Sequence, residues 1–200
     1  MTRAILATLA VLMTTAPSAA AQPSGHAHGA QPAHTHAAPG TFEWATYTGE
    51  GGTRRFKLYV PTTYRAGKPA PLVVLLHGCT QDPDDFARGT RFNQAAEAAG
   101  VLVAYPEQTS AHQPQKCWTW YDPAHQGAGG GEPAIVAGIA RQVMASHAVD
   151  AARVFVAGVS AGGAMAVNAA ASYPDLFSAA GVHSAIAYRA AEGVMPALQV

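Results

Sequence analysis

The chain has 200 residues, 49% of them hydrophobic, with twelve Lys+Arg balanced by twelve Asp+Glu. That is one domain's worth of chain, long enough for a real core. With no basic patch and no run of like charges, nucleic acid and anionic membrane surfaces are excluded as expected partners.

The N-terminus reads as a targeting segment. Arg3 provides a short positive region, Ala4 to Met13 an apolar stretch, and Ala19-Ala20-Ala21 an A-x-A cleavage site, so residues 1–21 are expected to be a signal peptide. The apolar stretch is too short to span a bilayer. The mature protein is therefore expected to be exported, extracellular or periplasmic, with no membrane partner. Residues 22–40, rich in Pro, Gly, Ala and His and without hydrophobic period, read as a disordered tether. Its His26, His28, His34 and His36 could bind a divalent metal loosely, a weaker reading than a solvated linker. A folded domain is expected over 41–200.

Phe42 to Tyr47 and Arg55 to Val60 alternate apolar and polar residues around Gly-Glu-Gly-Gly, which predicts an antiparallel hairpin at a sheet edge. The continuous apolar run Pro71 to His77 predicts a strand buried on both faces. Asp82 to Ala99 follows as a helix, with Asp82, Asp84 and Asp85 suited to its N-terminal dipole. Val101 to Tyr105 is a second buried strand, and Thr109 to Gly131 a long loop rich in Gln, Gly and Trp. Pro133 opens a helix with Ile135, Val136, Ile139, Val143 and Met144 at helical spacing. Val154 to Val159 is a third buried strand, Gly162 to Ser172 a helix of small residues, and Ala179 to Ala187 a fourth buried strand. Within that last run, residues 181–186 are left as an open sheet edge. Strands alternating with helices predict right-handed crossovers and a mostly parallel sheet with helices on both faces. Gly129-Gly130-Gly131 lacks the Gly-Lys-Ser/Thr of a phosphate loop, and no cofactor or metal is called for.

The most informative stretch is Val-Phe-Val-Ala-Gly-Val-Ser-Ala-Gly-Gly over 154–163. A β-branched run breaks into Gly-x-Ser-x-Gly and then into a helix, the context of a nucleophile elbow rather than of an ordinary Gly-rich turn. Ser160 is the expected catalytic nucleophile. Acyl transfer through serine also needs a base, a group to orient it and donors for the oxyanion. The backbone N–H groups of Ala161, after the elbow, and of Cys79, in the His77-Gly78-Cys79-Thr80 loop, are the expected donors. In an exported chain the lone pair Cys79 and Cys117 is expected to be bridged. Trp118, Trp120 and Tyr121 then fall at the cleft rim, as a substrate platform or as buried loop anchors.

The runs LVVLLHGCTQDPDDF, CWTWYDP, GGGEP and VDAARVFVAGVSAGGAMA together resemble the poly(3-hydroxybutyrate) depolymerase-type esterases. These are secreted α/β-hydrolases related to the feruloyl and acetylxylan esterases of carbohydrate esterase family 1, and the resemblance covers about Thr41 to Tyr188. It implies an α/β-hydrolase fold, Ser160 as nucleophile, Cys79 and Ala161 as oxyanion donors, and the disulfide. The implied substrate is a polyester of 3-hydroxy acids or its oligomers, with feruloyl or acetyl esters of plant polysaccharide as the alternative.

The acid and histidine are not found in their usual places. Asp175 lies past the helix that starts at Ser160, about 20 Å away at 1.5 Å per residue. His183 stands in the last strand, where it is expected to line the cleft but has no carboxylate to orient it. His77 reads as structural. The domain is therefore expected to be the N-terminal part of a hydrolase fold whose acid and base lie beyond Val200. A non-catalytic binding module of the same fold is the rival from another class, although such a module has no need of a strained serine turn.

Overall fold

The computed structural model describes residues 38–200. The segment expected to be a signal peptide and most of the one read as a tether lie outside the described residues. Six strands form one sheet in the order β1-β2-β4-β3-β5-β6. Strands β1 (Thr41–Gly49) and β2 (Gly52–Val60) form the antiparallel edge hairpin. β2 also runs antiparallel to β4 (Leu102–Pro106), whereas β3 (Ala70–Leu76), β4, β5 (Val149–Val159) and β6 (Ala179–His183) are mutually parallel.

Alternation along the central strands divides the core into two layers, because successive side chains point to opposite faces. Leu72, Val74, Leu76, Ala104, Val154 and Val156 face one layer, packed under α3 (Gly131–Ser146) and α4 (Ala161–Ser172). Leu75, Val103 and Tyr105 face the other, under α1 (Pro83–Thr90) and α2 (Phe92–Ala99). The sheet thus carries helices on both faces. A short 3-10 turn, Pro123–His125, and a four-residue α5, Val194–Ala197, complete the elements.

Three expectations are corrected. The helix predicted over 82–99 is two helices, because Arg91 adopts φ 55°, a left-handed conformation that no continuous helix can contain. Just before it, the Thr90 hydroxyl donates to the Phe86 carbonyl at 2.7 Å, and Gly89 weakens the same turn. The strand before the elbow begins at Val149, five residues earlier than predicted, with a register shift against β3 between Ala70 and Leu72. The fourth strand is shorter than predicted, ends at His183, and is exposed along its whole length as the edge strand of the described sheet. At the N-terminus of α1, the Asp82 carboxylate accepts the Asp85 N–H at 2.9 Å, which accounts for the first of the three aspartates.

Candidate active site

β5 delivers Ser160 to the carboxyl edge of the sheet and α4 leaves from it. Ser160 has φ 55° and ψ −126°, a strained conformation for a residue with a side chain, and its side chain is exposed. Two glycines make that corner possible. A Cβ on Gly158 would lie 2.4 Å from the Gly162 carbonyl oxygen, and one on Gly162 would lie 2.4 Å from the carbonyl oxygens of Leu76 and His77. The first turn of α4 therefore sits directly on the end of β3. The Ser160 N–H is held by the His183 carbonyl at 3.1 Å, and its own carbonyl accepts from Ala164 at 3.0 Å.

The loop after β3 closes on the same corner. A Cβ on Gly78 would meet the Ser160 Cβ at 3.6 Å. Cys79, next in the chain, is disulfide-bonded to Cys117. The Thr80 N–H donates to the Gln115 carbonyl at 2.6 Å, a second tie between these loops. Ala161 occupies the first turn of α4, where N–H groups have no partner within the helix. Among the described residues neither the Cys79 nor the Ala161 N–H donates a hydrogen bond to the protein.

Cys79, Cys117, Ser160 and Ala161 line one cavity of about 370 Å³. Trp120 and Tyr121 form another part of its wall, their rings edge to face at 5.5 Å. Asn168 and Gln126 hold the Trp120 carbonyl from behind, donating at 2.8 and 3.1 Å.

Two residues expected at this cavity are not on its wall. Trp118 is fully buried beneath the loop, where its indole N–H donates to the His77 carbonyl at 3.1 Å. Of the aromatic trio it is the loop anchor, because burying that ring requires a partner for its N–H and His77 supplies one. His183 points out from the exposed edge strand, its Nδ1 hydrogen-bonded to the Ser184 hydroxyl at 2.9 Å, and the cavity wall runs instead through Ser184, Ala185 and Ile186. Asp175 is exposed beyond the end of α4. Among the described residues no histidine or carboxylate lines the cavity.

His77 is structural. It is 1% exposed, its Nε2 accepts the Gln108 N–H at 3.0 Å, and its Nδ1 donates to the Gly78 carbonyl at 2.7 Å. Burial lowers its pKa and keeps the ring neutral.

A buried polar network under the long loop was not foreseen from sequence. Arg54 donates to Gln108 Oε1 at 2.5 Å, Gln108 donates to Glu132 at 2.5 Å and to the Cys117 carbonyl at 3.1 Å, and Glu132 accepts the Thr119 N–H at 2.8 Å. All three residues are at least 96% buried, and Arg54 also lies 5.9 Å from the Trp118 ring centre. Burial pulls the Arg54 pKa below its usual value, and the Glu132 charge opposes that shift. The GGGEP run, which puts a glutamate inside an otherwise apolar helix start, was the available signal.

Residues 54–200 match the family described as Esterase PHB depolymerase. The chain belongs to this esterase family. The chain is 36% identical over 133 residues to poly(3-hydroxyalkanoate) depolymerase C of Paucimonas lemoignei, covering 66% of this chain and 31% of that protein. Feruloyl esterase B of Neurospora crassa is 37% identical over 145 residues, covering 72% of this chain and 48% of that protein. The chain thus spans less than half the length of these two curated relatives. Among solved structures, acetyl xylan esterase from Aspergillus awamori superposes with a TM-score of 0.68 at 25% identity, over 77% of this chain and 56% of that one. An S-formylglutathione hydrolase from Agrobacterium tumefaciens, at TM-score 0.60 and 18% identity, shares the α/β-hydrolase fold. The family it belongs to is one of carboxylic-ester hydrolases.

Proposed function

We propose that this chain carries the nucleophile and oxyanion half of an exported serine esterase that cleaves polyesters of 3-hydroxy acids, or their oligomers, through an acyl-enzyme on Ser160. One observation carries the reading. The exposed, strained Ser160 opens into the same cavity as two unoccupied backbone donors, Cys79 and Ala161, and an aromatic pair, Trp120 and Tyr121. In this reading the Ser160 oxygen attacks the ester carbonyl and the developing oxyanion accepts the two N–H groups. Collapse expels the alcohol and leaves the acyl group on Ser160, to be released by water. The general base and its orienting acid are to be sought outside the described residues. The disulfide supports export, since such bonds persist in oxidising compartments.

The test is Ser160→Ala in the product of the complete gene. Hydrolysis of p-nitrophenyl butyrate and fluorophosphonate labelling should both fall to background, with turnover down by about six orders of magnitude. A variant retaining a tenth of the parent turnover would refute the assignment, and a parent that never labels would favour a non-catalytic binding module. The similarity to Feruloyl esterase B favours a second reading, feruloyl or acetyl ester cleavage on plant polysaccharide. Release of ferulate or acetate without attack on polyester granules would establish it.

A further inference from the structure

Gln113 stands on the wall of the Ser160 cavity with its amide held in one orientation. Its Oε1 accepts the backbone N–H of Gln115 at 2.7 Å and that of Cys117 at 3.0 Å. Backbone N–H groups only donate, so the atom facing them is the oxygen, and the NH₂ is turned away from the loop backbone. Two bonds occupy both lone pairs of that oxygen. Among the described residues the NH₂ itself donates to no protein group. The support is stiff, because Cys117 is covalently joined to Cys79 and the Gln115 carbonyl holds the Thr80 N–H. Gln113 is therefore a fixed group that can donate but not accept, tied to the loop that carries an oxyanion donor.

We propose that Gln113 Nε2 binds the carbonyl oxygen of a second ester group, the neighbour of the scissile one along the substrate chain. This rests on the esterase reading above and deepens it by naming what the cavity recognises beyond the reacting bond. A donor-only group suits an acceptor-only partner. The interior of a 3-hydroxy acid polyester offers carbonyl and ester oxygens with no O–H or N–H among them. A sugar hydroxyl could accept from this amide but also brings a donor of its own, which the amide cannot receive and which must find another partner. The cavity wall is otherwise largely apolar, with Trp120, Tyr121, Ile186 and Leu198 suited to the methyl and methylene groups between successive carbonyls.

The experiment uses the product of the complete gene and two matched substrates. p-Nitrophenyl 3-acetoxybutyrate carries a second ester carbonyl, and p-nitrophenyl 3-ethoxybutyrate replaces that carbonyl with a methylene. The parent enzyme should prefer the acetoxy compound by about fivefold to tenfold in kcat/KM, mainly through KM, the size expected of one neutral hydrogen bond. Gln113→Glu keeps both acceptors for the loop while replacing the donor with an oxygen, and should abolish the preference. Gln113→Leu should abolish it too. Absence of any preference in the parent, or a preference that survives both variants, overturns the proposal, and the parent comparison stands even if neither variant folds. So does a Gln113→Glu enzyme that loses turnover on acetylated xylo-oligosaccharides while its acetoxy-to-ethoxy ratio is unchanged. Ser160→Ala separates the two levels. If that variant hydrolyses both substrates as the parent does, the acyl-enzyme reading fails; if Ser160 is required but the ratio is one, only the Gln113 assignment fails.

Discussion

Replacing Gly162 with alanine tests whether the shape of the elbow, rather than the mere presence of a serine, sustains the site. The new Cβ would lie 2.4 Å from two backbone oxygens, those of Leu76 and His77. A Cβ has no rotamer to escape by, and strand β3 is buried between neighbours on both sides. The first turn of α4 must therefore withdraw by about 1 Å to reach an ordinary contact. Overpacking of this kind costs about 1–3 kcal/mol. The helical preference of alanine over glycine offsets about 1 kcal/mol of that. We expect a net destabilisation of about 0–2 kcal/mol in urea unfolding. Because the Ala161 N–H belongs to the same turn, its displacement should lower turnover of p-nitrophenyl butyrate by about a hundredfold, the usual effect of a 1 Å misplacement. Gly89→Ala is the control. Its Cβ meets nothing within 4 Å, so it should stabilise α1 by about 0.5–1 kcal/mol and leave turnover alone. A Gly162→Ala enzyme as stable as the parent, with turnover within threefold of it, would refute the close-packed elbow as the basis of the site.

Other expectations follow from single contacts. Removing the Cys79–Cys117 bridge, which spans 38 residues, should cost about 4 kcal/mol on the chain-entropy model, read as a shift in the urea midpoint of a Cys79→Ser/Cys117→Ser pair. Trp118→Phe deletes the 3.1 Å bond to the His77 carbonyl and should lose about 1–3 kcal/mol of stability without raising KM; an unchanged midpoint with a raised KM would return Trp118 to the cavity wall. His77 has its folded pKa lowered from 6.5 by burial, so the unfolded chain takes up protons first as pH falls. The stability it contributes is present above about pH 6.5 and is lost as pH falls toward the folded value, by at most about 1.4 kcal/mol per pH unit. His77→Gln should flatten that part of the profile, and an unchanged slope would count against a buried neutral imidazole.

What sequence made legible is what neighbouring residues decide. The Gly-x-Ser-x-Gly corner is set by the absence of side chains at Gly158 and Gly162, where a Cβ would meet backbone at 2.4 Å, and the alternating faces of β3, β4 and β5 by the period of the chain itself. Arg91 is different. Gly89 and Thr90 loosen the turn before it, but no local pattern marks an arginine for the left-handed region, and Phe86 of α1 and Ala96 of α2 share one buried layer with Tyr59, Leu75 and Val103. Trp118 reads as a rim residue because its loop is polar, and only the distant His77 carbonyl turns it inward. Arg54, Gln108 and Glu132 lie too far apart in sequence to form any pattern, yet together they hold the loop that carries Cys117.

That network bears directly on the disulfide. The Cys117 carbonyl is held by Gln108, the neighbouring Thr119 N–H by Glu132, and the Thr80 N–H by Gln115, all without the sulfurs. The loop holding the proposed oxyanion donor is thus tied down twice, once by a covalent bond and once by buried polar contacts. Reduction should therefore loosen the Cys79 N–H and lower turnover before it unfolds the domain. Breaking the network at Glu132 should instead destabilise the domain as a whole, because it strands the buried Arg54 charge and leaves the Thr119 N–H without its partner.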